Sequence, residues 1–185
     1  MGLSSALVYS CPQSNQKDNK MKIEHIKGPL STLGSPTVQW VQKVGVKPHQ
    51  FYGGTDASYE GKPLAALPWE SEQTINTMKE GLEQALSTPA SEVTFDHCLT
   101  ELYVNETIRK DPHCDSGDLV VTVSLGAPRE LVIQNNDTGS VRSISLNHGD
   151  VVVFDKDSQK RTTRSILQGL EKGPYINCTF RTKER

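Results

Sequence analysis

Long hydrophobic runs are missing from this chain of 185 residues. Nothing approaches the roughly 20 apolar residues that cross a bilayer, which excludes a helix-spanning membrane protein. An excess of one charge is missing too. Lys+Arg 20 against Asp+Glu 22 gives a net charge of -2, so contact with nucleic acid would need a local basic patch rather than a global field. Cysteine is scarce: Cys11, Cys98, Cys114 and Cys178 form no CxxC pair and are too few for a disulfide scaffold, which suits thiols in a reducing compartment. Residues 1–20 lack the basic-then-apolar order of a secretory signal, so the expected location is the cytoplasm. No repeat and no low-complexity tract is present.

What remains is 35% hydrophobic and 23% charged, enough apolar surface for one buried core. The Ser-, Gln- and Asn-rich residues 1–20 read as a flexible N-terminal arm, and 21–185 as one domain. Gly and Pro break residues 23–59 into short strands and turns, with 38–44 a short strand or helical turn. One helix is expected after Pro68-Trp69, where Ile75, Met78, Leu82 and Leu86 repeat at helical spacing up to Pro89. Beyond Val93 the pattern is strand-like, at 119–125, 130–133, 141–146, 151–154 and 175–180, with turn residues between. This predicts a mainly β fold, a jelly roll with a single flanking helix packed on one sheet.

His113-Cys114-Asp115 is the sharpest local feature. Residues two apart in an extended segment share a face, so an imidazole nitrogen and a carboxylate oxygen can aim at one point. That pair supplies two donors of the facial triad that holds non-haem Fe(II), the third being a histidine from a distant strand. An HxD also arises by chance, as a solvated turn histidine beside a capping aspartate.

Five segments follow in order: FDHCLTELY (95–103), HCD (113–115), VSLGAPR (123–129), LNHGDVVVF (146–154) and YINCTFR (175–181). This succession resembles the AlkB-like family of 2-oxoglutarate- and Fe(II)-dependent dioxygenases over roughly residues 50–181, with YGGT at 52–55 and Pro68-Trp69 as weaker landmarks. The resemblance implies a double-stranded β-helix with Fe(II) on His113 and Asp115 and 2-oxoglutarate as cosubstrate. Tyr103, Asn177 and Arg181 match the positions that meet 2-oxoglutarate, the arginine gripping a carboxylate with its planar fork. Ser124-Leu125-Gly126 and Gly149-Asp150 match structural turns.

Three positions depart from the family pattern. Arg164, immediately before Ser165-Ile166, stands where the distal iron histidine is expected, and no histidine follows His148. Tyr175 replaces the first arginine of RxNxTFR, and Glu101 replaces an asparagine two positions before Tyr103. A guanidinium has no free lone pair and stays cationic, so Arg164 cannot ligate iron. It is expected to enter the vacated metal position and pair with Asp115. Other routes to a third ligand are His148, in a tight turn, and Asp155 or Asp157. His25, His49 and His97 read as ordinary structural or exposed histidines.

The resemblance implies oxidative demethylation of N-alkylated nucleic-acid bases, impaired by the loss of the distal histidine. The alternatives are a catalytically inactive β-helix that acts as a binding module, and an unrelated jelly roll with a chance HxD. Alkylated DNA or RNA is the implied partner of a monomer. Arg129, Lys156, Lys160, Arg161 and Lys172 are candidates for a phosphate track, or a solvated basic face.

Overall fold

The computed structural model describes residues 22–30, 49–54, 58–59, 62–63, 65–103, 110–113, 115, 117–167, 169 and 171–183, with 58–59, 62–63 and 110–113 described by backbone alone. The expected arm at 1–20 and the element at 38–44 lie outside the described residues. In chain order come β1 (Ile23–Ile26), β2 (His49–Gly53), β3 (Ser58–Tyr59), β4 (Lys62–Pro63), β5 (Ala66–Leu67), a 3-10 turn (Trp69–Ser71) and α1 (Gln73–Leu86). There follow β6 (His97–Tyr103), β7 (Lys110–His113), β8 (Leu119–Gly126), β9 (Arg129–Asn135), β10 (Val141–Leu146), β11 (Val151–Asp155), α2 (Lys156–Arg161), β12 (Thr162–Ile166) and β13 (Tyr175–Arg181).

Two main sheets form, one of seven strands in the order β1-β11-β8-β13-β6-β2-β5 and one of four in the order β10-β9-β12-β7. Every pairing in them is antiparallel except β2 with β5. Alternation of side chains gives the central strands of the large sheet, β11, β8, β13 and β6, two buried faces. Tyr103, Val120, Val152, Phe154 and Tyr175 point inward and meet Leu131, Ile133, Leu146 and Ile166 of the small sheet. Their neighbours Val121, Val123, Val151, Ile176, Cys178 and Phe180 point outward and are covered by Ile75, Met78 and Leu82 of α1. Burial on both faces is why the central strand β13 is buried along its whole length.

The predicted apolar stripe of α1 is thus the stripe that packs, with Leu86 partly buried at its end. Glu83 ties the helix to the sheet: Phe95 N donates to its Oε1 at 2.7 Å, and Lys79 Nζ to its Oε2 at 2.7 Å. A second α-helix, α2, corrects the expectation of a single one. Its sequence KDSQKR has no apolar period and forms through polar capping instead, with Ser158 N donating to Asp155 Oδ1 at 2.8 Å. Thr162 Oγ1 closes the far end on Ser158 O at 2.6 Å.

Two turns hold the frame. Gly126 has φ +89°, and a Cβ there would run into Pro174 O, so only glycine fits. Before β11, Asp150 is 2% exposed and accepts from Gly28 N at 2.7 Å and Asn147 N at 2.9 Å, with His25 Nε2 at 3.1 Å. Burial pushes its pKa up, but these partners outweigh that and hold the carboxyl below its ordinary value. A depressed folded pKa gives stability that is present above the ordinary carboxylate range and lost as pH falls through the folded value. Asp150→Asn is therefore expected to cost on the order of 1–3 kcal/mol at neutral pH and to flatten the acid limb below about pH 4. Urea unfolding at neutral and acid pH measures both; an unchanged acid limb would remove Asp150 from the account.

Candidate functional site

Parity along β13 puts Tyr175, Asn177, Thr179 and Arg181 on the inner face, between the two sheets. On β12 the buried positions are Thr162, Arg164 and Ile166. β12 lies between β9 and β7, so the Cα of Arg164 pairs with that of Ile133 on one side and His113 on the other. Asp115 follows the end of β7, and the three charged side chains of Arg164, Asp115 and Arg181 meet there.

Arg181 Nη2 donates to Asp115 Oδ1 at 2.5 Å, a charge-assisted hydrogen bond. Arg164 Nη1 lies 3.7 Å from Asp115 Oδ2, an ion pair beyond hydrogen-bond reach. Nη2 of Arg164 donates to Gln159 Oε1, and the guanidinium carbon sits 3.8 Å from the centroid of the Phe154 ring. Gln159 is itself held by its Nε2 donating to Phe154 O at 3.1 Å. Arg164 is 2% exposed, and its Nε and Nη1 make no hydrogen bond. Burial pulls its pKa below the ordinary value, Asp115 opposes that, and Arg181 adds to it. The group stays cationic, since no ordinary pH deprotonates a guanidinium.

The remaining inner positions form a polar patch beside this pair. Tyr175 packs against Tyr103 with ring centroids 5.3 Å apart, and its hydroxyl lies 3.2 Å from Ser124 Oγ. Burial pushes the Tyr175 phenol up, and the Ser124 hydrogen bond opposes that only in part. Arg129 stacks over the same ring at 5.6 Å. Asn177 Nδ2 donates to Thr179 Oγ1 at 3.1 Å and approaches the buried Glu101 Oε2 at 3.4 Å, while its Oδ1 makes no hydrogen bond. Tyr103, Asn177 and Arg181 therefore share one interior, as do the departures Glu101, Tyr175 and Arg164.

Several candidates are placed elsewhere. His148 lies half-buried in the turn before β11; its Nδ1 accepts from Gly126 N at 3.0 Å and its buried Nε2 makes no hydrogen bond. Asp155 caps α2 and accepts from Lys22 N at 3.0 Å, so it is committed to structure. His25 serves the Asp150 turn, and His97 leans on Asp96 at 3.3 Å. Of the candidate phosphate track, Arg129 is buried, Lys156 pairs with Asp118 at 2.6 Å and Arg161 with Asp137 at 2.5 Å, while Lys160 and Lys172 are exposed. Gln159 and Phe154, which clamp Arg164, were not anticipated. The one signal for Gln159 was a glutamine in a polar segment five residues before Arg164.

A jelly roll with HxD at the rim of the small sheet, and an arginine at the inner end of its last large-sheet strand, is the frame of an oxygenase β-helix. The sequence pattern of the 2OG-Fe(II) oxygenase superfamily matches residues 6–181, and the chain belongs to that superfamily, whose chemistry uses Fe(II) and 2-oxoglutarate. A solved structure titled "The structure of OsALKBH1" shares the fold, with TM-score 0.60 and 17% identity over 90% of this chain and 100% of that one. An uncharacterized protein, R406, of Acanthamoeba polyphaga mimivirus is 29% identical over 132 residues. That match covers 68% of this chain, which spans 65% of the length of the relative.

The described donors do not fit an Fe(II) centre with three protein ligands. Both oxygens of Asp115 face guanidinium groups, and Arg164 brings a cation to the strand from which a third donor is expected. Among the described residues no three His, Cys, Asp or Glu side chains converge on one point. What the arrangement can do is hold an anion or hold itself together as an ion cluster. Among the described residues no helix is long and apolar enough to cross a membrane.

Proposed function

We propose that this chain is an AlkB-type dioxygenase directed at N-alkylated nucleic-acid bases and impaired at its iron site. In this reading His113 and Asp115 are the two remaining iron ligands, and Tyr103, Asn177 and Arg181 face 2-oxoglutarate. The observation that carries it is the buried guanidinium of Arg164 against Asp115. A base within a duplex would have to leave the stack to reach this interior. Buried Cys98 and Cys178, both free thiols, suit a cytoplasmic setting, and sedimentation would test the monomer.

The test is an anaerobic titration with Fe(II) and 2-oxoglutarate, followed by their visible charge-transfer absorbance, and then a turnover assay on N-methylated DNA and RNA oligonucleotides. A weak but saturable band at millimolar iron and cosubstrate, with slow aldehyde release, is the expected result, and no band at all would overturn it in favour of a binding module. A tight chelate with rapid aldehyde release would overturn it.

The Asp115 cluster favours a second reading, a binding module, because an interior carboxylate with two guanidinium partners needs no metal to be stable. Under that reading oligonucleotide affinity survives EDTA unchanged.

A further inference from the structure

Arg164 is clamped on three sides and still has donors to spare. Gln159 takes Nη2, the Phe154 ring covers the guanidinium face and Asp115 lies beyond hydrogen-bond distance, which leaves Nε and Nη1 buried without an acceptor. Buried donors are almost always satisfied, so orphaned N–H groups on a cation 2% exposed point to an acceptor that arrives from outside the chain. The charges agree. Arg164 and Arg181 contribute two positive charges and Asp115 one negative, a net +1 over these three side chains, and the buried Arg129 and Glu101 nearby add one charge of each sign.

We propose that this cluster is a metal-independent binding site for a small organic carboxylate, received directly by Nη1 of Arg164, the unsatisfied donor on the Asp115 side of the guanidinium. It rests on the reading that the distal iron ligand has been lost. One carboxylate group brings these three side chains to neutrality. Arg181 already holds a carboxylate of the chain itself at 2.5 Å, and the ligand repeats that contact on the second guanidinium. Asn177 Oδ1, buried on the same interior face and without a donor, can take a hydrogen bond from a ligand hydroxyl or a water.

The test is calorimetric titration of the full chain in EDTA with acetate, succinate and 2-oxoglutarate, and with phosphate and chloride at matched ionic strength. At least one carboxylate should saturate, with phosphate and chloride failing to compete. Arg164→Met should weaken that binding roughly tenfold or more, the loss of a charge-assisted hydrogen bond. Arg164→Lys keeps the charge but loses the planar guanidinium and its Nη1 donor; it should bind more weakly than the wild type, and it carries the comparison if the methionine variant fails to fold. Three results overturn the proposal: no saturation by any carboxylate, equal competition by phosphate or chloride, or wild-type affinity in a folded Arg164 variant. Iron is excluded from every arm, so a wild type that forms a tight Fe(II) chelate would defeat the impaired-enzyme reading without deciding these heats.

Discussion

Arg164→His is expected to raise the affinity for Fe(II) with 2-oxoglutarate by about two orders of magnitude or more, and to bring up the visible chelate band. The substitution changes two things at once. It supplies an imidazole lone pair on β12, whose Arg164 position lies opposite His113, and it removes a cation held against Asp115. A unit charge and a divalent ion at ~4 Å repel by roughly 8 kcal/mol at an effective dielectric of 20, so relief of even a third of that corresponds to a hundredfold. Gln159, which loses its guanidinium partner, is left to solvate the new ring. Anaerobic absorbance titration of both proteins, side by side, measures the ratio. No gain in the histidine variant would shift the defect to Tyr175 and Glu101, and Tyr175→Arg would become the next substitution to make.

The second large effect is on stability. Asp115→Asn should cost roughly 3–5 kcal/mol, because it leaves two buried guanidinium groups facing one another without their shared counter-charge. For a chain of this length that lowers the melting temperature on the order of 10 °C. The sign of the partner effect separates this from ordinary core damage. Adding Arg164→Met to Asp115→Asn should recover part of the loss, since it removes one of the stranded cations, and a double-mutant cycle gives the coupling. A cost below about 1 kcal/mol, or no recovery in the double variant, would mean that solvent already screens the cluster.

Much of the frame was legible along the chain. The stripe Ile75, Met78, Leu82 is what one helix needs to cover one sheet face, and the five strand-like runs sit within β8, β9, β10, β11 and β13. Local patterning carries such information because burial of alternate or helical-period residues is decided within a few positions. α2 escaped because its stability is polar and local: an Asp155 cap and Ser158 bonds leave no apolar signature. The fate of the basic residues was illegible for a related reason. Composition shows basic residues, but only packing shows that Arg129 lies over Tyr175 and that Lys156 and Arg161 already have carboxylate partners.

The sequence by itself determined the class of fold, the ordered motifs that bring Asp115, Asn177 and Arg181 to one interior, and the fact that residue 164 cannot ligate a metal. Residue chemistry is enough for the last point, since a guanidinium carries no available lone pair wherever it is placed. Only the tertiary structure decided where that cation goes. The pairing of β12 with β7, the ring of Phe154 and the carbonyl of Gln159 aim Arg164 at Asp115, and these come from segments that meet only when the sheets close. Whether a buried charge is a defect or a site depends on what faces it across the core, and the order of residues along the chain does not contain that distance.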